Sequence, residues 1–433
     1  MDGSIRIVRG ANARGVNTLG AHALGAVARG AVALTWLLCL ASCGGGNSGG
    51  GGPGLGPVGP PPPAANVVPA YVDGGPSASS GSVNTLFTSV TVCAPGSTTA
   101  CQTIDHIQVD TGSFGLRLLA PALSVALPLS QAPDGNTLLE CTQFVDGYSW
   151  GPVAMADIQV GGELAPAVPV QVIGDPTFSA VPAACSGTGP PENTVAAFGA
   201  NGILGIGVFE QDCGGGCVSD PTVGDYYACT SSGNCVGTVA PLNIQVQNPV
   251  AHFAVDNNGT LIDLPPVAAP GEPTLTGSLI FGIDTQGNNA SGSVSVITVD
   301  LNHGEFTTVY NGNSLPASFI DSGTNGIYFN DSNIQQCTDA GFTTFYCPAT
   351  TQDLSGSIIG QNGVSVLIGF SIGNAQTLSA GNPTFSVLPQ LGGTYSSSMQ
   401  TFDWGLPFYY GRRVATALEN HATALASGPY IAF

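Results

Sequence analysis

The sequence predicts an all-β protein with two lobes, each a β-barrel, and a cleft between them. The chain has 433 residues, enough for two substantial cores. Only 8% of the residues are charged, while glycine (62) and proline (32) are abundant. From residue 67 onward, short runs of Val, Ile, Leu, Thr and Phe are broken by Gly, Pro, Asn and Asp, which is typical of short strands joined by turns. One short motif also occurs twice, as expected if the two lobes are similar.

The charge of the chain excludes two classes of partner. Seven arginines and no lysine stand against 27 acidic residues, which gives a net charge of -20. Such a surface repels nucleic acid and anionic lipid headgroups, so neither is an expected partner. Self-repulsion falls in acid, which suits a protein that works at low pH, although any acidic secreted protein would share this composition.

The N-terminus predicts export and a lipid anchor. Four arginines, the last of them Arg29, precede an apolar run, Gly30–Ser42, that is too short to span a bilayer comfortably. The run leads into Leu40–Gly44, which resembles the lipobox of bacterial lipoproteins, in which the cysteine is lipidated. The resemblance implies a signal peptide at residues 1–42, lipidation of Cys43, and a place at the outer membrane or cell surface, with the periplasm as the alternative. An ordinary signal with a chance cysteine would leave the chain unanchored.

The rest of the chain divides into a tether and two lobes. Residues 43–66 combine the lipidated cysteine with a Gly/Pro-rich segment that would hold the folded part away from a membrane. We expect an N-terminal lobe at 67–250 and a C-terminal lobe at 251–433, in a monomer.

Ten of the 12 cysteines lie beyond Cys43, and an even number in an exported chain predicts up to five disulfides. The first and last pairs are local in sequence and the middle one follows by elimination: Cys93–Cys101, Cys141–Cys185 and Cys337–Cys347. Three pairings remain open within the cluster Cys213, Cys217, Cys229 and Cys235. A zinc site in this cluster is the alternative, but no histidine lies near it, so no metal is expected.

Several elements can be placed from local pattern. Residues 86–92 and 104–109 read as a hairpin closed by the first cysteine pair, and Val145–Gly162 reads as a second hairpin. Residues 277–282 read as an apolar strand. Helices are expected to be scarce, and the best candidate is a short one capped by Asp331 or Ser332.

The repeated motif is an apolar strand followed by aspartate, a hydroxyl residue, glycine and a second hydroxyl residue. Its copies are Asp110-Thr111-Gly112-Ser113 and Asp321-Ser322-Gly323-Thr324. One copy is a common turn, but two copies behind matched strands are hard to obtain by chance. Two carboxylates a few ångströms apart share one proton, so one can take a proton from water while the other polarises a carbonyl. The glycines allow close approach of a backbone N–H, and the hydroxyls orient the carboxylates.

On these residues the chain resembles the pepsin-like aspartic peptidases. In that family an apolar–apolar–glycine motif threads behind each aspartate loop, and residues 201–207 and 402–410 fit that motif. Residues 277–284 and 428–433 are similar to the strand that opens the second lobe and to the last strand. The resemblance covers nearly all of residues 67–433. It implies a pepsin-like double β-barrel with the active-site cleft between the lobes and with Asp110 and Asp321 as the catalytic pair, in a branch of secreted bacterial lipoproteins.

The resemblance also marks a departure at the flap, the family's hairpin that closes over bound peptide. When Val160–Gly162 is aligned with the end of that hairpin, Phe144 takes the position of the family's flap tyrosine. Arg117 stands where animal enzymes have a tryptophan that bonds this tyrosine. Tyr148 or Trp150 would then close the site instead. Arg117 would bind an acidic residue of the substrate, or it is an exposed residue at a strand end.

The sequence therefore predicts an aspartic endopeptidase that hydrolyses peptide or protein substrates at acidic pH, with no cofactor. Serine-hydrolase and metallopeptidase motifs, Gly-x-Ser-x-Gly and His-Glu-x-x-His, are absent from the sequence. The alternative is a catalytically weak or inactive lipoprotein of the same fold that binds peptides or proteases. The intact aspartate loops favour the enzyme, and the altered flap favours the binding protein.

Overall fold

A computed structural model describes residues 64–79, 81–144, 147–395 and 400–433. The predicted signal peptide, the lipidation site Cys43 and the tether up to residue 63 lie outside the described residues, so these remain predictions. Within the described part of the chain, no helix is both long enough and apolar enough to cross a membrane.

Fifteen strands of the described residues form the larger of two sheets. They are β1 (Val67–Val72), β2 (Leu86–Cys93), β3 (Cys101–Asp110), β4 (Phe114–Leu119), β5 (Thr137–Gln143), β6 (Tyr148–Val160), β7 (Glu163–Ile173), β8 (Gly202–Ile206), β9 (Tyr226–Cys229), β10 (Cys235–Gly237), β11 (Gly259–Asp263), β12 (Leu275–Phe281), β13 (Val296–Thr298), β21 (Arg413–Ala417) and β22 (Tyr430–Ala432). Their spatial order is β10-β9-β5-β6-β7-β4-β8-β3-β2-β1-β12-β11-β21-β22-β13.

Seven strands form the second sheet. They are β14 (Phe306–Tyr310), β15 (Asn313–Ile320), β16 (Ile327–Tyr328), β17 (Gln352–Ile359), β18 (Ser365–Ile372), β19 (Gly392–Gly393) and β20 (Asp403–Trp404), in the order β18-β17-β14-β15-β20-β16-β19. Both sheets are barrel-like, and the predicted all-β, two-lobed fold is confirmed. The predicted lobe boundary between residues 250 and 251 stays a prediction, and it falls within a 3₁₀ turn at Pro249–His252.

Helices are short in the described residues. They are α1 (Ala183–Ser186), α2 (Val195–Phe198), α3 (Gly215–Ser219) and α4 (Ala375–Gly381), with 3₁₀ turns at Ala120–Ala122, Pro176–Phe178, Leu242–Ile244, Pro249–His252, Gly287–Asn289 and Leu406–Phe408. The helix expected after Asp331 is wrong: the Asp331 carboxylate accepts from the Asn333 amide within a turn. Instead, Asn374 caps α4 by accepting from the Thr377 amide.

The first predicted hairpin is present, and the second is wrong in its bounds. Strands β2 and β3 pair antiparallel, with Cys93 opposite Cys101. Residues Tyr148–Val160 form one continuous strand, β6, which pairs with β5 on one side and β7 on the other. The reason is that its side chains are buried on both faces, so the chain stays extended through the segment.

Two parallel strand pairs position the repeated motif. Strand β3 runs parallel to β8, with Asp110 opposite Gly205, and β15 runs parallel to β20, with Ile320 opposite Trp404. The segments that precede the two aspartates are therefore held from the side by the predicted glycine motifs. Buried apolar residues of both sheets form one continuous core around these pairs.

Five disulfides join the ten cysteines beyond Cys43. They are Cys93–Cys101, Cys141–Cys185, Cys213–Cys217, Cys229–Cys235 and Cys337–Cys347. The open cluster is thus paired locally, and its four sulfurs are unavailable to zinc. Disulfides of this number are typical of an extracellular or periplasmic protein.

Candidate active site

Asp110 ends strand β3 and is held by its own loop. The Gly112 amide donates to Asp110 Oδ1 at 2.7 Å, and the Ser113 hydroxyl donates to Asp110 Oδ2 at 2.5 Å. Only 1% of Asp110 is exposed. Both carboxylate oxygens therefore have donors, which fixes the orientation of the side chain.

Asp321 follows strand β15 and is held in the same way. The Gly323 amide donates to Asp321 Oδ1 at 2.7 Å, and the Thr324 hydroxyl lies 3.0 Å from Asp321 Oδ2. The Asp321 amide donates to the carbonyl of Trp404, so strand β20 holds the start of the loop. Asp321 is fully buried.

The two loops are bonded to each other crosswise. The Thr111 amide donates to Ser322 Oγ at 3.1 Å, and the Ser322 amide donates to Thr111 Oγ1 at 3.0 Å. Each hydroxyl also donates across the junction, Ser322 to the carbonyl of Val109 and Thr111 to that of Ile320. Because these bonds join the two halves of the chain, they set the separation of the two aspartates.

The carboxyl groups of Asp110 and Asp321 meet where the two loops join, each beside the glycine of the other loop. A Cβ atom added to Gly112 would lie 2.6 Å from Asp321 Oδ2, and one added to Gly323 would lie 2.6 Å from Asp110 Oδ1. A larger residue at either position would have to displace the opposite carboxyl from the hydrogen bonds that hold it. Burial raises the pKa of Asp321 well above its usual range, and the negative charge of Asp110 raises it further.

Two residues that sequence reasoning missed complete the site. Asp403 is fully buried on β20, and its Oδ2 lies 2.9 Å from the Thr324 hydroxyl. The Tyr409 phenol lies 2.9 Å from Thr111 Oγ1, and burial raises its pKa. The available signal for Asp403 was an acid inside an otherwise apolar motif, Phe-Asp-Trp-Gly.

The predicted flap residues are packed into cores. Phe144 is 5% exposed and meets Phe198 edge-on, with ring centroids 6.3 Å apart. The backbone of Tyr148 forms an isolated parallel β-bridge with Pro191. Trp150 is 2% exposed, and its indole donates to the carbonyl of residue 178. The expectation that Tyr148 or Trp150 closes the site is therefore wrong, because both side chains fill an apolar cluster beside the Cys141–Cys185 disulfide.

The sequence-based expectations for Arg117 are also wrong. It is fully buried on β4, and its Nη2 donates to Glu140 at 2.5 Å and to Asp212 at 3.0 Å. Burial alone would lower the pKa of Arg117, but the charges of Glu140 and Asp212 outweigh this and raise it. Arg117 is thus neither a substrate contact nor an exposed strand end. Its Nη1 donates to the carbonyl of Phe114, next to the Asp110 loop.

Comparison with known proteins adds a family and a fold neighbour. The crystal structure of an aspartic proteinase from Irpex lacteus is similar to the chain, with a TM-score of 0.47 and 16% identity, over 85% of this chain and 96% of that one. No curated protein matches the chain. A family model described as "Protein of unknown function (DUF3443)" matches residues 62–433. The chain therefore belongs to that family.

Proposed function

We propose that the chain is an aspartic endopeptidase that hydrolyses peptide bonds in peptide or protein substrates. The observation that carries the proposal is that two loops distant in the sequence, bonded to each other crosswise, bring the buried carboxyls of Asp110 and Asp321 together. Two buried carboxyls brought together in this way hold one proton between them, which is the state that acid–base chemistry on a peptide bond needs.

In this proposal the two aspartates have different roles. Asp321 carries the shared proton, because burial and neighbouring carboxylates raise its pKa. Asp110 takes a proton from a water molecule, and that water attacks the peptide carbonyl carbon. Asp321 donates its proton to the carbonyl oxygen, so the tetrahedral product forms without free charge. The acidic composition of the chain suits work at low pH.

Cleavage of a denatured protein by the purified full-length chain tests this proposal. We expect cleavage between about pH 3 and pH 7 that a statine-type inhibitor blocks. Inhibitor-insensitive cleavage would indicate a contaminating protease. An absence of cleavage at every pH would contradict the proposal and favour the second candidate.

The second candidate is a protein of the same fold that binds peptides or proteases without cutting them. The hairpin between β5 and β6 favours it, because β9 pairs with β5 on the outer side and the Cys141–Cys185 disulfide ties the hairpin to α1. A hairpin fixed in this way opens less readily to admit a substrate. Tight binding of a statine-type inhibitor without turnover is the result expected of this candidate.

The proposal includes a lipid anchor on Cys43 that holds the enzyme at the outer membrane or cell surface, or in the periplasm. The lipobox-like sequence before Cys43 supports it, and multiple acyl chains would anchor stably. Cys43→Ser should release the protein from the membrane fraction, and unchanged retention would contradict the anchor.

A further inference from the structure

We propose that Asp403 is a third carboxyl group of this site, held protonated, and that it fixes the Thr324 hydroxyl proton on Asp321. Asp403 is a positioning residue in this account, since it acts through Thr324. The effect of Asp403 on catalysis rests on the proposed function, but its protonation can be tested without turnover.

The backbone places Asp403 directly beside the Asp321 loop. In β20 it lies opposite Phe319 of the parallel strand β15 and opposite Tyr328 of the antiparallel strand β16. It is fully buried. A fully buried carboxyl group has no water to solvate a negative charge, so its charge state must be balanced inside the protein.

The Thr324 hydroxyl determines the proton arrangement. Thr324 Oγ1 lies 3.0 Å from Asp321 Oδ2 and 2.9 Å from Asp403 Oδ2. A hydroxyl has one proton to donate, so it cannot donate fully to two carboxylates. If Thr324 donates to Asp321, then Asp403 must supply the proton for its own bond to Thr324. In this series of hydrogen bonds, Asp403 Oδ2–H donates to Thr324 Oγ1, and the Thr324 hydroxyl donates to Asp321 Oδ2.

The charges around Asp403 favour the protonated form. The titratable groups that face it are the carboxyls of Asp110 and Asp321 and the Tyr409 phenol. Among the described residues, no ion pair links these three carboxyls to a basic side chain. Burial raises the pKa of Asp403 well above its usual range, and the charge of Asp110 raises it further. Three adjacent carboxyls therefore hold two protons and one negative charge.

The second oxygen of Asp403 is consistent with this form. Asp403 Oδ1 is buried and has no hydrogen-bond partner among the described residues. An unpartnered carbonyl oxygen of a neutral acid costs far less free energy than an unpartnered oxygen of a carboxylate. Oδ2 is then the protonated oxygen, and Oδ1 is the carbonyl.

The arrangement makes the two aspartates unequal. Asp110 Oδ2 accepts from a single hydroxyl, Ser113, while Asp321 Oδ2 accepts from a hydroxyl that is itself bonded to an acid. Ionisation of Asp403 would draw the Thr324 proton away from Asp321 and add a second negative charge. Asp403 therefore links loss of activity at higher pH to its own ionisation.

Infrared difference spectroscopy on the full-length protein tests the protonation directly. At a pH near 6, where ordinary carboxyls are ionised, Asp403→Asn should remove one C=O band of a protonated carboxyl group. Asp220→Asn, at an exposed aspartate with a lowered pKa, is the matched control and should remove only carboxylate bands. Loss of carboxylate bands alone in Asp403→Asn would overturn the proposal. This reading does not depend on whether the protein cleaves peptides.

Kinetics test the link to Asp321. Thr324→Val should shift the remaining Asp403 band and lower kcat about 10- to 100-fold through loss of a bond to a charged group, while Thr324→Ser should restore both. Asp403→Asn keeps a donor toward Thr324 but cannot ionise, so the loss of kcat on the alkaline side should move to higher pH. An unchanged pH profile, or a loss that moves to lower pH, would overturn the proposal.

Discussion

The α-carbon of Gly112 faces the carboxyl of Asp321 so closely that an added Cβ atom would lie 2.6 Å from Oδ2. The same relationship holds from Gly323 to Asp110. Each glycine therefore makes room for the aspartate of the other loop rather than for that of its own loop. It leaves the space in which the opposite aspartate approaches its partner carboxyl.

Gly112→Ala should lower activity by about 100-fold or more, because the new methyl group displaces Asp321 from its partner. The measurement is kcat/KM on a peptide substrate. Gly381→Ala is the matched control, since nothing lies within 4 Å of a Cβ atom there. Equal activity of Gly112→Ala and the parent protein would mean that the close approach is not used in catalysis.

Ser322→Ala should lower the free energy of unfolding by about 1–3 kcal/mol. It removes the acceptor of the buried Thr111 amide and the donor to the carbonyl of Val109. Urea unfolding measures the change. Ser371→Ala is the control, because it breaks only an exposed bond to Asp353. A cost no larger than that of the control would show that the crosswise bonds contribute little.

Arg117→Met should lower the free energy of unfolding by about 3–5 kcal/mol, because Glu140 and Asp212 are left buried without a cation. Adding Asp212→Asn in the same chain should recover part of the loss by removing one stranded charge. If the second substitution recovers nothing, the cost of Arg117→Met comes from lost packing instead.

Asp225 should make the folded state more stable in mild acid than at neutral pH. Burial, with the nearby charge of Glu140, raises the pKa of Asp225 from 3.8 to about 7. The folded state therefore holds a proton that the unfolded chain releases, so this contribution is fully present below about pH 4 and is lost as the pH rises through about 7. Asp225→Asn should flatten the fall in stability across that window, as measured by thermal unfolding. An unchanged slope would contradict this assignment.

The sequence predicted the parts of the site that follow from local chemistry. The aspartate loops and the glycine motifs could be recognised because strand, carboxylate, hydroxyl and glycine must follow in that order for the carboxylate to be held. The disulfide pairs Cys93–Cys101 and Cys337–Cys347 could also be predicted, because the two cysteines of each pair are close in the sequence.

The parts that failed depend on packing between distant segments. Arg117 lies on β4 between Leu116 and Leu118, and its acidic partner Glu140 also lies in an apolar strand, β5. A lone charge in each of two buried strands was a usable signal for an ion pair. Trp150 could not be assigned from the sequence, because its burial depends on segment 176–198, which packs beside β6. Asp403 was interpreted only as part of an apolar motif, although an acidic residue within such a motif indicates a buried carboxyl group.

Activity of Asp110→Asn and Asp321→Asn is the most direct test of the account. Each substitution preserves the shape of the side chain but removes one of the two groups that share the proton. We predict that each lowers kcat by about 100- to 10,000-fold, while Asp353→Asn, at a carboxylate outside the site, leaves it unchanged. Inhibitor-sensitive cleavage at the parental rate in either dyad variant would contradict the claim that Asp110 and Asp321 act as one catalytic pair.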